Sequence, residues 1–229
     1  MIYNIIEVIN KATGGKCMKT VYIPIVLTVL LVSPLLAFAA SEEWCYAQNH
    51  NSIYIVLTDQ LAIFFEGFSP MDFYAHSHPY TITEVEFYVY GFDTTGSGLV
   101  NLKAYLIPDK YTSPSGLSPN YSIEGLTFSW TKGEETLNSY PLNWEGFSGG
   151  QCVGIAVEFP DGMYHGYMDF GMVGDWMVPQ DTGDWCYAQM DGDGGWYTAD
   201  HDFSIVVTVS FDNTSITSSS LGKIKALLE

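Results

Sequence analysis

Arginine is absent from this 229-residue chain, and lysine occurs only 8 times against 26 acidic residues, for a formal net charge of −18. A surface so poor in cations repels phosphate backbones and anionic lipid headgroups, so neither nucleic acid nor a membrane surface is an expected partner. Charged residues of both signs make up only 15% of the chain, which suits strands and tight turns better than exposed helices. No Gly-x-Ser-x-Gly nucleophile elbow occurs, since Thr95–Gly96–Ser97–Gly98 is the nearest approach and reads as a turn. No cysteine directly follows the one long apolar run, so lipid anchoring is not indicated. What the chain has instead is aromatic surface, with 16 Tyr, 13 Phe and 6 Trp.

The apolar run is Val21–Leu36, preceded by Lys16 and Lys19 around Met18 and followed by Ala37–Phe38–Ala39. That order is the pattern of a secretory signal with a small-residue cleavage site, so residues 1–40 read as a signal region. Translation is expected to start at Met18, with cleavage after Ala39 or Ala40. The competing reading is an uncleaved membrane anchor, which Pro24, Pro34 and the Ala-rich end disfavour. Without residues 1–40, which hold Glu7, Lys11, Lys16 and Lys19, 25 acids face 5 lysines, a net of −20. A secreted, extracellular location is expected, with membrane contact only through an uncleaved signal.

Beyond Cys17 the chain holds Cys45, Cys152 and Cys186, an odd number for an oxidising compartment. The pentapeptide Trp-Cys-Tyr-Ala-Gln occurs twice, at Trp44–Gln48 and at Trp185–Gln189, bracketing the folded part. If the two copies are adjacent antiparallel strands, Cys45 and Cys186 stand opposite one another, which makes them the expected disulfide pair; pairings through Cys152 stay open.

Between the copies the patterning is that of strands. Ile53–Thr58 and Leu61–Phe68 are short apolar runs, and Tyr80–Phe92 alternates, with Thr83, Val85, Phe87 and Val89 facing one way and Glu84, Glu86, Tyr88 and Tyr90 the other. A turn at Asp93–Gly98 leads to a second alternating run at Val100–Leu106, and the two are expected to form a hairpin. Residues Pro108–Asn120 read as a long surface loop. Strands are expected at Leu126–Thr131, Thr136–Tyr140, Gln151–Phe159, Tyr164–Phe170 and Phe203–Phe211, with Gln151–Phe159 central because both its faces are apolar. About ten strands without a convincing amphipathic helix predict an all-β fold, an antiparallel β-sandwich of jelly-roll type over residues 41–212. Residues 213–229 are then a polar linker and short C-terminal tail.

Several local motifs in this order carry a resemblance: Phe68–Ser69–Pro70 ending an aromatic strand, the Tyr-led strand Tyr80–Tyr90, Gly149–Gly150 before the central strand, Gly194–Gly195–Trp196 before the last one, and the tail Ser220–Leu227. Together they resemble jelly-roll-like β-sandwich modules of secreted bacterial proteins. The resemblance implies an extracellular β-sandwich and implies no catalytic residues.

Candidate chemistry is thin. Asp191, Asp193 and Asp200 are the metal-ligand candidates of the acidic stretch Asp181–Asp202, for a structural Ca²⁺. No bidentate Glu closes an EF-hand loop there, and Asp191–Gly192 and Asp193–Gly194 serve equally as turn residues of a hairpin from Trp185–Met190 to Trp196–Thr198. No other cofactor is indicated. His76 and His78 share a face of an extended chain near Asp72, yet nothing supplies further zinc ligands. Glu84–Val85–Glu86–Phe87 looks like the carboxylate strand of laminarinase-type glycosidases, but Val89 stands where those families carry a further Glu, so no catalytic residue is assigned. Trp144, Trp176, Trp196 and Tyr197 are the candidate ligand-binding rings, placed in loops where they can stack on sugars. The expected function is a non-catalytic binding module, most concretely for an extracellular glycan or a surface protein. The alternatives are a self-associating structural subunit of an extracellular layer or filament and, less favoured, a glycoside hydrolase.

Overall fold

A computed structural model describes residues 39–47, 49–55, 59–75, 78–164, 169–176, 186–190, 195–199 and 201–212, all within the compact unit Ala39–Asn213. Residues 1–38 of the expected signal region and the C-terminal tail beyond residue 212 lie outside these residues, whereas Ala39 and Ala40, at the expected cleavage point, begin the first strand opposite Asp212 and Phe211. The strands are β1 (Ala39–Trp44), β2 (Ser52–Tyr54), β3 (Ala62–Phe68), β4 (Tyr80–Gly91), β5 (Gly96–Ile107), β6 (Tyr121–Trp130), β7 (Glu135–Phe147), β8 (Cys152–Phe159), β9 (Phe170–Trp176), β10 (Cys186–Met190), β11 (Trp196–Ala199), β12 (His201–Phe203) and β13 (Ile205–Asp212). The one helical element described is a single 3₁₀ turn, Pro70–Asp72, whose first amide to be capped, that of Met71, is held by the Ser69 hydroxyl.

These strands form two antiparallel sheets, so the all-β sandwich follows directly from the pairing. The six-stranded sheet has the order β11-β10-β3-β8-β5-β6. The seven-stranded sheet runs β1-β13-β4-β9-β12, with β7 along the other edge of β4 and β2 on β9. From β3 onward the chain changes sheet at most connections, which is the wrapping that makes the sandwich jelly-roll-like. Ser204 marks a fork: its amide donates to Val173 O and its carbonyl accepts from Tyr88 N, so the chain passes between β9 and β4 as β12 becomes β13.

The core lies between the sheets and is aromatic. Phe159 stands 4.9–5.9 Å from the ring centroids of Phe64, Phe87, Phe128 and Phe170, in tilted or edge-to-face arrangements, the geometry that ring quadrupoles favour. Central placement of Cys152–Phe159 holds, because β8 is buried along its whole length between β3 and β5. A second, smaller apolar cluster of Ile63, Phe65, Tyr105, Ile107, Cys152 and Ala156 covers the outer face of the six-stranded sheet. Both faces of β3 and β8 are therefore buried, which explains why their sequences do not alternate.

Several expectations need correction. β4 and β5 are not a hairpin: β4 pairs with β7, β13 and β9 in one sheet and β5 with β6 and β8 in the other. Gly96–Gly98 is not a turn but the start of β5. The alternation of β4 breaks at a bulge near Thr83, where the register to β7 and β13 shifts, so Tyr80 and Ile82 face the core together with Val85, Phe87 and Val89, while Thr83 does not. The two pentapeptides are not adjacent strands either. Only the first residue of the first copy, Trp44, belongs to β1, which pairs with β13, whereas Cys186–Gln189 of the second lie in β10 between β3 and β11, in the opposite sheet. β9 begins at Phe170, further along than the strand expected at Tyr164–Phe170. By contrast, the pairing expected of Trp185–Met190 with Trp196–Thr198 is present between β10 and β11, with Gln189 opposite Trp196 and Cys186 opposite Ala199, while the expected turn residues Asp191–Gly194 lie outside the described residues.

Candidate functional site

One end of the sandwich carries a cleft of about 350 Å³ between the start of β5, the end of β6 and the turn after β8. Its floor is formed by Phe128, Trp130 and Phe170, and its rim carries Asp59, Asp161 and Asp169 with Ser97 and the half-exposed Leu99. The floor exists because Gly96 and Gly98 of β5 stand opposite Trp130 and Phe128. A Cβ on Gly96 would lie 2.5 Å from the Trp130 ring and one on Gly98 2.8 Å from Phe128, so only glycine lets both rings lie against the strand.

Local chemistry places each acid. Phe159–Pro160–Asp161–Gly162 is a turn closed by Gly162 N to Phe159 O at 3.1 Å, with Gly162 at φ 74°. Proline at the second position presets the turn and glycine takes the left-handed backbone, leaving Asp161 exposed at the tip. Asp169 is buried and tied down: its Oδ1 accepts from the Thr94 hydroxyl at 2.8 Å, Thr94 in turn accepts from Trp130 Nε1 at 3.1 Å, and the Asp169 carbonyl accepts from Phe92 N. Asp59 is exposed on the loop before β3. Among the described residues no three His, Cys, Asp or Glu side chains converge as a metal cage.

A second polar focus joins the Pro70–Asp72 turn to the β5–β6 loop. Lys110 Nζ pairs with Asp72 Oδ2 at 2.8 Å and lies over the rings of Tyr46 (4.8 Å) and Tyr111 (5.4 Å), and the Tyr46 hydroxyl donates to the same carboxylate at 2.7 Å. Partial burial works against the charge on Asp72, but the hydrogen bonds from Lys110 and Tyr46 outweigh it and hold its pKa below the usual carboxylate value. Met71 (63% exposed), Tyr74 (82%) and Tyr111 (43%) surround this pair.

The rings expected to bind ligand do not form one platform. Trp144 is a core residue of β7, 5% exposed and stacked on Tyr121 at 5.7 Å, so it is not available in a loop; one step of strand alternation carries it inward. Trp196 is half-buried, edge-on to Phe65 at 6.0 Å, and Tyr197 is exposed. As neighbours in β11 these two point to opposite faces of the sheet. Trp176 ends β9 opposite His201, and its ring lies outside what is described. Asp191, Asp193 and Asp200 lie outside the described residues, as does His76. His78 stacks on Phe211 at 5.9 Å. Glu84 is held by the Ser139 hydroxyl on the outer face of β4. Among the described residues the structure holds no disulfide bond.

The cleft acids escaped the sequence reading, although Pro160–Asp161–Gly162 is a legible turn signal; nothing local says that the turn overlooks the glycines of β5, more than 60 residues earlier in the chain. Comparison with protein-family models gives no match, and comparison with curated proteins gives none. Among solved structures, one described as "Structure of infectious bursal disease virus Gx strain" aligns over 79% of this chain and 37% of its own, at 10% identity and a TM-score of 0.31. This chain thus spans well under half of that one, and a likeness at that level says nothing about function.

Proposed function

We propose that this protein is a secreted, non-catalytic binding module that takes a neutral glycan in the Asp59–Asp161–Asp169 cleft. The observation that carries the reading is a cleft in which the carboxylates of Asp59 and Asp161, with Asp169 behind them, stand beside the edges of the nearly buried rings of Phe128, Trp130 and Phe170. Sugar hydroxyls donate to carboxylates while the C–H faces of the ring cover apolar surface, and pockets built this way obtain orientation from a few polar groups. A net charge of −18 selects against anionic ligands and favours a neutral saccharide. The test is a glycan array on the purified chain with and without Ca²⁺, followed by Asp161→Asn and Asp59→Asn. Both acids are exposed, so the variants should fold; a loss of binding of at least about tenfold is expected, the scale of one charge-assisted hydrogen bond. Binding that survives both substitutions, or binding lost only with Trp196→Ala or Tyr197→Ala, places the ligand elsewhere.

A second reading, a self-associating structural subunit, is favoured by the exposed Met71, Tyr74 and Tyr111 around the Lys110–Asp72 pair. Apolar groups gathered around an ion pair suit a protein contact. Concentration-dependent association in sedimentation, abolished by Tyr74→Ser, would support this reading over the first if the glycan array is blank.

A further inference from the structure

We propose that Cys45 and Cys186 are joined by a disulfide that crosses the sandwich between its two sheets, and that Cys152 remains a thiol. Although β1 and β10 lie in opposite sheets, the segment after β1 reaches over to β3. Tyr46 stacks on Phe68 at 5.5 Å and 10° between planes, and its hydroxyl accepts from Ser69 N at 3.3 Å. Phe68 belongs to the core face of β3 with Ala62 and Phe64, and two residues back along that face stands Glu66, 1% exposed.

Position 186 is found at the same level. β10 pairs with β3 through Tyr187 and Phe65, so one step further Cys186 comes alongside Glu66, while on its other side it is opposite Ala199, a residue of the core. Residues beyond Cys45 are anchored at this end too: Asn49 N and Asn51 N both donate to the Asp175 carboxylate, at 2.7 and 3.1 Å, and Asp175 is the cross-strand partner of Asp202 in β12. Cys45 thus enters the gap between the sheets at the level where Cys186 lies on the facing strand.

The same geometry removes both alternatives. Cys152 belongs to the cluster on the outer face of the six-stranded sheet, so the sheet itself separates it from Cys45. Between Cys152 and Cys186 stand two strand spacings, because β3 lies between β8 and β10. They are also offset along the strands, since Val153 is level with Phe68 whereas Cys186 is level with Glu66. The resulting Cα separation is roughly 14 Å, about twice what a disulfide spans.

Bond formation removes one hydrogen from each thiol. The two electrons pass to the disulfide of a thiol–disulfide oxidoreductase, or of oxidised glutathione in the test tube, which leaves as two thiols. As a thiol, Cys45 donates to Ala47 O at 3.1 Å, and burial, then the Glu66 carboxylate, push its pKa up to about 12. Because the thiolate is the attacking species, oxidation is slow once the sheets have closed, and the bond forms while the chain folds.

The test is to refold the denatured, reduced full chain with and without oxidised glutathione, alkylate it, and map its peptides by mass. Expected are one cross-link joining Cys45 to Cys186, a Cys152 that alkylates only after denaturation, and a higher urea midpoint for the oxidised form. Cys152→Ser should form the same cross-link. A cross-link through Cys152, or alkylated Cys45 and Cys186 in a chain that has regained its native circular dichroism under oxidised glutathione, overturns the proposal.

Discussion

Gly154 shows how closely single residues are held. It sits in β8 under the ring of Phe65, and a Cβ there would lie 2.0 Å from Phe65 Cζ and 2.4 Å from Cε2. The ring cannot retreat freely, because Tyr105 and Trp196 flank it at 5.7 and 6.0 Å. Gly154→Ala should therefore destabilise the fold by about 1–3 kcal/mol through overpacking, read as a lower urea midpoint at unchanged m-value. Nearby, Glu158 is almost wholly buried on the same outer face, where Lys103 Nζ meets it at 2.5 Å and Asn101 Nδ2 at 2.6 Å. Removing one partner leaves an uncompensated buried charge, so Lys103→Met should cost about 3 kcal/mol. Adding Glu158→Leu should recover most of that loss. If the double variant is as unstable as the single one, the pair matters through packing and not through charge.

At the scale of an element, the outer face of the seven-stranded sheet carries carboxylates in neighbouring strands: Glu43 of β1 and Glu84 of β4 both flank Thr208 of β13, and Glu86 follows on β4. Partial burial of Glu86, then repulsion from Glu84 and Glu43, raise its pKa in the folded chain. A carboxyl whose folded pKa lies above its unfolded value favours folding while protonated. That contribution is present at low pH and is lost as pH rises from the unfolded value through the folded one. Glu86→Gln should accordingly raise the melting temperature at pH 7 and leave it nearly unchanged at pH 3. An equal rise at both pH values would assign the effect to something other than charge. The long alternation of β4 made its strand character plain from the residues, yet the bulge near Thr83 was hidden. A bulge is set by how β4 meets β7 and β13, and the pattern Thr81-Ile82-Thr83-Glu84 suits either phase.

Across the whole molecule, the paired arrangement of strands was less legible than the strands themselves. Short turn-bounded runs and a central β8 could be read directly, because burial on one or two faces writes itself into side-chain order. Sheet assignment could not. β4 and β5 look like a hairpin, but each has an apolar face that is buried equally well by crossing to the opposite sheet, and the turn Phe92–Thr95 permits either course. Repetition of Trp-Cys-Tyr-Ala-Gln suggested two neighbouring strands for the same kind of reason. In the sandwich only Trp44 of the first copy is in a strand, and the segment after it carries Tyr46 across to Phe68 of the sheet that holds the second copy. The candidate cleft belongs to this scale as well: its acids come from two connections, β2–β3 and β8–β9, and its lining glycines and rings from three strands.

The residues in order determined that this chain is all β, acidic, poor in cations and built around an aromatic core, since composition and period-two alternation are local consequences of burying one face of a strand. Only the tertiary structure decided which sheet each strand joins, that Trp144 is buried, and that Asp59, Asp161 and Asp169 line one cleft. Those outcomes depend on contacts between residues far apart in the chain, and many pairings of the same apolar faces remove similar areas from water; the choice among them is made by close packing at particular points such as Gly154 under Phe65 and Gly96 under Trp130.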